Sequence, residues 1–112
     1  MARILLVDDE QMVRMVYGMI LELEGHKVVL ASDGLCALHL FGEHNFDLVI
    51  TDFNMPNMNG NELSKKIKEL KSDVPIIMIT SDFPEQRIAD VIMAKPFSTK
   101  DLLENINLFL KK

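Results

Sequence analysis

Five short apolar runs recur along the chain, with segments of helical periodicity between and after them. The runs are almost uninterrupted, which is typical of strands buried on both faces of a sheet. Strands that alternate with helices predict an α/β fold with a parallel sheet covered on both sides. Right-handed crossovers then bring the carboxyl end of every strand to one edge. The five runs are RILLV (3–7), HKVVLA (26–31), FDLVIT (46–51), VPIIMITS (74–81) and VIMA (91–94).

Four helical segments accompany these strands. We expect the first to end at Gly25, the third to be capped by Asn61, and the last to be capped by Ser98 or Thr99. Cys36 lies in the second helix and is expected to be buried. The predicted buried face of the first helix consists of Met12, Val16, Met19, Ile20 and Leu23, with Met15 as a further helix-face or core residue.

Composition excludes several classes of protein. The 112 residues are 48% hydrophobic and 26% charged, which suits a single globular domain over 1–112. The net charge of −5 argues against a nucleic-acid surface, so no contact with DNA is expected. A lone cysteine excludes an internal disulfide and favours the cytoplasm. No run approaches the ~18 apolar residues of a membrane span.

Polar side chains with a shared chemistry follow the strands. Converging carboxylates would repel one another, and a divalent cation removes that cost. Mg²⁺ prefers such oxygen ligands, an amine suits a phosphate oxygen, and a hydroxyl can donate to one. Together these groups predict phosphoryl transfer to a strand-end carboxylate. The residues are Asp8, Asp9, Asp52, Thr80, Ser81 and Lys95.

Four stretches resemble the landmarks of two-component response-regulator receiver domains, in the same order and spacing: LLVDDE, LVITDFNMPNMNG, IIMITS and AKPF. The third-strand stretch closely resembles that of single-domain chemotaxis regulators. The resemblance covers essentially the whole chain. It implies a flavodoxin-like, doubly wound, five-stranded parallel sheet with strand order 2-1-3-4-5.

The resemblance also assigns residue roles. Asp52 would be the phosphoacceptor, and Thr80, Ser81 and Lys95 the catalytic and switch residues. Gly60 would permit a conformation that a Cβ resists, and Pro96 would follow a cis peptide bond that aims Lys95 into the site. The implied Mg²⁺ ligands are Asp8 (through water), Asp9, Asp52 and the main-chain carbonyl of Asn54.

The partners follow from the same resemblance. The phosphodonor would be a sensor histidine kinase or a phosphotransfer protein, and the output a downstream protein target. The domain would catalyse its own phosphorylation and dephosphorylation as a monomer or weak dimer. Asn54 and Asp82 would flank the attacking water, which predicts a short-lived phosphorylated state.

The chain departs from the family at two points. Ile92 stands where an aromatic residue commonly acts as a switch. The stretch between Thr80 and Lys95 is short by about two helical turns, so the family's fourth helix is expected to be short or absent. We therefore expect segment 82–90 to be a loop or single turn that orders on phosphorylation and contributes to the partner surface.

Other classes of site fit less well. A degenerate receiver that only docks partners remains the main alternative, although the full set of acids, Thr80 and Lys95 argues against it. An enzyme of the haloacid-dehalogenase type usually carries its nucleophile on the first strand with an acid two residues on. Here that second position is Asn54, which cannot act as a general acid. An EF-hand fails because Asn57 and Leu63 replace the required Gly and Glu.

Overall fold

A computed structural model of the chain describes residues 2–81, 84, 87–95 and 97–110. Its five strands form one parallel sheet in the order β2-β1-β3-β4-β5, which confirms the predicted topology. The strands are β1 (Arg3–Val7), β2 (Lys27–Ala31), β3 (Leu48–Asp52), β4 (Ile76–Thr80) and β5 (Val91–Ala94). The helices are α1 (Gln11–Leu23), α2 (Gly34–Glu43), α3 (Gly60–Leu70) and α4 (Thr99–Leu110).

Helices cover both faces of the sheet. On one face, Leu5 and Met78 pack with Phe41 of α2 and Ile67 of α3 in a buried cluster. On the other face, the neighbouring positions of the same strands pack with side chains of α1 and α4. The central strands β3 and β4 are buried throughout. This double coverage explains why their sequences are apolar up to the polar residues at their carboxyl ends.

Short polar side chains start three of the helices. The Asp33 carboxylate accepts a hydrogen bond from the Cys36 N–H at the start of α2. Asn59, and not the predicted Asn61, caps α3, because its side chain and that of Glu62 satisfy each other's backbone N–H groups in a capping box. Ser98 Oγ accepts from the Asp101 N–H, as expected for α4.

The predicted buried face of α1 is wrong. Met12 is 70% exposed and Leu23 80%, and Met15, Val16 and Met19 are exposed as well. The helix instead buries Gly18 and Leu21 against the sheet. Apolar residues lie on both sides of α1, so helical spacing alone could not select the buried side. Cys36 is likewise exposed on α2, contrary to the expectation of burial.

The connection between β4 and β5 is short. Its described residues, 81, 84 and 87–90, include no helix, in agreement with a short or absent fourth helix of the family pattern. Asp82 and Phe83 lie outside the described residues. Ile92 is half-buried against the α2 and α3 side of the sheet. Within the described ranges, no helix has the length and apolar character needed to cross a bilayer.

Candidate functional site

The parallel sheet delivers the predicted residues to one edge. Asp8 and Asp9 follow β1, Asp52 is the last residue of β3, and Lys95 follows β5. Thr80 ends β4, and its carbonyl accepts a hydrogen bond of 2.9 Å from the Lys95 N–H. The topology thus brings together residues that end or follow four strands.

Three carboxylates form the centre of the site. One oxygen from each of Asp8, Asp9 and Asp52 lies within 4.8 Å of the other two. Asp8 and Asp52 are buried, while Asp9 is exposed and opens the cluster to solvent. The Glu10 N–H donates to Asp8 Oδ1 at 2.9 Å. Arg14 Nη1 donates to the Asp8 carbonyl at 2.7 Å and so joins α1 to the loop after β1.

Burial and mutual repulsion perturb the acids. The pKa of Asp8 is raised from 3.8 to about 6, chiefly because burial disfavours the charged form, and the charges of Asp52 and Asp9 raise it further. The hydrogen bond from the Glu10 N–H opposes this shift. The pKa of Asp52 is also raised by burial, although Lys95 partly offsets the effect. Lys95 compensates the three carboxylates only in part, and their hard oxygen atoms fit the ligand preference of Mg²⁺.

Lys95 is the cation of the site. Its Nζ lies 3.0 Å from Asp52 Oδ1, in an ion pair with a buried acid and a half-buried lysine. Burial alone would lower the pKa of Lys95, but the hydrogen bond and charge of Asp52 outweigh it and raise the pKa. The ammonium group therefore stays charged within reach of any group bonded to Asp52.

The other predicted residues occupy different positions around this pair. Thr80 is fully buried at the end of β4, whereas Ser81 is exposed beside it. Asn54 is exposed in the loop after β3, two residues beyond Asp52, and its ligand role stays a prediction. Pro96 and its predicted cis peptide bond lie outside the described residues, as does Asp82.

Glycine at position 60 is explained by a close backbone approach. A Cβ there would lie 2.6 Å from the Asp52 carbonyl oxygen and 2.9 Å from the Phe53 Cα. The Gly60 N–H donates to the Phe53 carbonyl at 2.8 Å, which holds the start of α3 against the end of β3. Among the described glycines only Gly25 has a positive φ, so the need at Gly60 is for space and not for a left-handed conformation.

Sequence reasoning missed a surface that adjoins the site. The exposed apolar residues of α1 form what we call the α1 face, defined as Met12, Met15, Val16, Met19 and Leu23. This helix begins at Gln11, two residues after Asp9. The pattern of methionines was visible in the sequence, but its interpretation depended on which side of the helix packs.

A contact between aromatic rings ties α1 to the loop that carries Lys95. Tyr17 of α1 stacks on Phe97, with ring centroids 5.6 Å apart and an angle of 23° between the ring planes. Sequence reasoning gave Tyr17 no role, because nothing in the spacing of the two residues links them. The contact anchors the segment between Lys95 and α4.

Comparisons with known proteins agree with this geometry. The family model described as "Response regulator receiver domain" matches residues 4–107. "Response regulator MprA" of Mycobacterium sp. (strain KMS) is 33% identical over 117 residues, covering 98% of this chain and 51% of the relative. The chain thus spans about half the length of the curated relatives it matches.

Two solved structures are similar over nearly all of the chain. The response regulator TrrA of Thermotoga maritima in complex with Mg²⁺ and BeF has a TM-score of 0.89 and 35% identity, covering 97% of this chain and 99% of that one. TrrA in complex with the histidine kinase ThkA gives a TM-score of 0.89 and 34% identity, with 99% and 100% coverage. Both align with the sheet and helices described above.

Proposed function

Because the chain belongs to the response regulator receiver domain family of two-component systems, we propose that it is a phosphoacceptor switch and that Asp52 receives the phosphoryl group. The observation that carries this proposal is the pairing of buried Asp52 with Lys95 Nζ at 3.0 Å, beside two further carboxylates. This is the arrangement that acyl phosphate formation requires: a nucleophilic carboxylate, a metal-binding acid cluster and a fixed cation.

In the proposed reaction, a carboxylate oxygen of Asp52 attacks the phosphorus of a phosphohistidine. The new P–O bond forms as the P–N bond breaks, and the electron pair of that bond stays on the departing imidazole. Lys95 faces the negative charge that collects on the phosphoryl oxygens, and the Thr80 hydroxyl is the candidate donor to one of them. Asp8, Asp9, Asp52 and the Asn54 carbonyl would hold Mg²⁺, which supplies charge neutralisation when bound.

The reverse of activation is proposed to occur at the same site. Water attack on the phosphoryl group would regenerate the Asp52 carboxylate and release inorganic phosphate. Asn54 is exposed beside the acceptor and is a candidate to orient that water, together with Asp82. The domain would therefore act as a catalyst of its own phosphorylation and dephosphorylation without being a conventional enzyme.

The α1 face is the proposed docking surface for the phosphodonor. It is apolar, exposed and continuous with the loop that carries Asp8 and Asp9, so a partner bound there has Asp52 within reach. A histidine kinase binds the structural relative TrrA, as the complex with ThkA records. A helical partner with an apolar stripe would cover the methionines while its phosphohistidine faces the acids.

The proposal also covers the mode of output, the cellular location, the extent of the domain and its oligomeric state. The net charge of −5 supports output through protein contact rather than through DNA. The single exposed cysteine supports a reducing, cytoplasmic setting. We propose that the receiver comprises residues 1–112 and acts as a monomer or weak dimer, with a downstream protein as its target.

Phosphorylation with a small donor tests the acceptor assignment. The protein is incubated with acetyl phosphate and Mg²⁺, and the adduct is located by mass spectrometry after reduction with borohydride. We expect a single labelled site at Asp52, and none in Asp52→Asn. Asp73→Asn removes an acid near the amino-terminal ends of the strands, away from the site. It serves as the matched control and should be labelled like the wild type. Unchanged labelling of Asp52→Asn would overturn the assignment, and an unlabelled wild type would favour the docking-only alternative.

A further inference from the structure

A charged cluster closes the short connection between β4 and β5. Lys68 of α3 donates from Nζ to Asp90 Oδ2 at 2.8 Å and to the Val74 carbonyl at 2.9 Å, and the Ser72 carbonyl lies at 3.5 Å. The three acceptors match the three donors of an ammonium group. The side chains of Lys68 and Asp90 are 22% and 36% exposed, so the pair is partly open to solvent, and its hydrogen bonds to backbone groups distinguish it from an ordinary surface ion pair.

Asp90 also joins the start of β5 to the start of β4. Its Oδ2 accepts a hydrogen bond of 2.7 Å from the Ile76 N–H, and its own N–H donates to the Ile76 carbonyl at 2.9 Å. Asp90 is therefore fixed to the first residue of β4 by both its backbone and its side chain. We call Lys68, Asp90 and Ile76 the β5 clamp.

The clamp sits where the register of β5 is decided. The strand has only four residues and lies at the edge of the sheet, paired on one side alone. Packing of Met93 in the core fixes which face of β5 is buried, and the short connection from β4 brings no helix within its described residues. The clamp supplies a fixed point immediately before Val91, the first residue of the strand.

Register matters here because Lys95 follows directly at the other end of β5. Successive side chains of a strand point to opposite faces, so a slip of one residue would turn Lys95 away from its present position. In the observed register, Thr80 pairs with Ala94 and the Lys95 N–H bonds to the Thr80 carbonyl. That register places Nζ at 3.0 Å from Asp52 Oδ1.

We propose that Lys68 and Asp90 are positioning residues for Lys95. They act from the amino-terminal end of β5, by fixing the register of that strand, on the residue that follows its carboxyl end. Asp90 and Lys95 are five residues apart along the strand, about 17 Å at 3.3 Å per residue. Asp8 and Asp9 follow β1, which does not pair with β4 or β5, and Asp52 lies at the opposite end of β3 from Val49, the residue that pairs with Ile76. The inference rests on the proposed function for its chemistry, but the register itself is measurable without it.

The experiment compares four variants of the full chain with the wild type. Lys68→Met and Asp90→Ala remove the clamp, Asp90→Asn keeps an oxygen acceptor for the Ile76 N–H, and Lys66→Met is the matched control on the exposed side of α3. Three quantities are measured: the affinity for Mg²⁺ alone, the affinity for beryllofluoride in saturating Mg²⁺, and hydrogen exchange of the amides of residues 91–95.

The two affinities should respond differently. Mg²⁺ affinity should not fall in any variant, because the acids are not part of the clamp and a displaced Lys95 would remove a positive charge from beside Asp52. Beryllofluoride affinity should fall by about tenfold to a hundredfold in Lys68→Met and Asp90→Ala, since a misplaced cation no longer meets the bound group. Asp90→Asn should recover most of the loss, and Lys66→Met should match wild type.

Hydrogen exchange separates the inference from the proposed function. Faster exchange of residues 91–95 in the two clamp-removing variants, with unchanged exchange in β1, is the expected result. Equal exchange and equal beryllofluoride affinity in wild type and Lys68→Met would overturn the positioning role. A parallel loss of Mg²⁺ and beryllofluoride affinity would also overturn it, because that pattern reports general destabilisation. A wild type that binds no beryllofluoride would contradict the proposed function, and the exchange data would still decide the register.

Discussion

At the scale of single residues, Asp8 is a buried acid whose raised pKa has a thermodynamic consequence. The pKa of Asp8 is about 6 in the folded protein, whereas the pKa of an unperturbed aspartate is 3.8. Between these values the folded state binds more protons than the unfolded chain does. Stability of the metal-free protein should therefore fall as pH rises through this window and level off above it.

This argument predicts the behaviour of Asp8→Asn. Without Mg²⁺, the variant should be more stable than wild type at pH 7 by about 1–3 kcal/mol, and the difference should vanish near pH 4. Urea unfolding at several pH values measures it, with the exposed Asp73→Asn as the control for a lost charge. An equal difference between wild type and Asp8→Asn at pH 4 and pH 7 would contradict the assigned burial.

Residue positions at the site were largely predictable because topology fixes them. Once a parallel sheet was inferred, the residues that end its strands had to meet at one edge, and Asp8, Asp9, Asp52 and Lys95 do meet there. Tyr17 was not predictable, because its partner Phe97 is 80 positions away and only the folded structure joins them. The residues of the β5 clamp also depend on a tertiary contact, between Lys68 and Asp90.

At the scale of elements, strands were easier to predict than helix faces. β3 and β4 are buried on both sides, so all their residues before the polar ones at the carboxyl ends are apolar. A helix has one buried side, and α1 carries apolar residues on its exposed side too, which defeated the periodicity argument. The start of α3 was missed by two residues because Asn59 and Asn61 are both competent caps, and Glu62 selects Asn59.

The exposed α1 face leads to a prediction about a double variant, Met12→Gln with Met19→Gln. Because both side chains face solvent, the free energy of unfolding should change by less than about 0.5 kcal/mol. Phosphorylation by acetyl phosphate should be unaffected, while transfer from a phosphorylated histidine kinase should slow severalfold. Quenched phosphotransfer assays with radiolabelled phosphorylated kinase measure the rate of transfer from the kinase.

The control for this variant lies on another helix. Leu108 of α4 is 75% exposed, so Leu108→Gln removes an exposed apolar side chain from a different helix. This variant should leave the rates of phosphorylation by acetyl phosphate and by the kinase unchanged. Equal slowing by Leu108→Gln and by the α1 double variant would show that the α1 face has no special part in docking.

At the scale of the whole molecule, the buried carboxylates of the site lower the stability of the metal-free fold. Asp8 and Asp52 are buried with raised pKa values, so the sheet edge holds charges that the unfolded chain would solvate better. The rest of the domain must compensate, and it does so through the two apolar layers on the faces of the sheet. Ligands that neutralise the edge should then stabilise the entire fold.

This coupling predicts a thermal shift that depends on the acid cluster. A ligand that binds only the folded state adds about 2.7 kcal/mol at a concentration of 100 times its Kd. We expect the melting temperature of wild type to rise with Mg²⁺ at pH 7, and to rise further with added beryllofluoride. In Asp9→Asn the Mg²⁺ effect should be lost over the same concentration range, because Asp9 is exposed and its replacement leaves the core intact while removing one of the three carboxylates. Asp73→Asn should keep the full shift. An undiminished rise in Asp9→Asn would mean that Mg²⁺ stabilises the domain from a different site, and the proposed acid cluster would not be its ligand set.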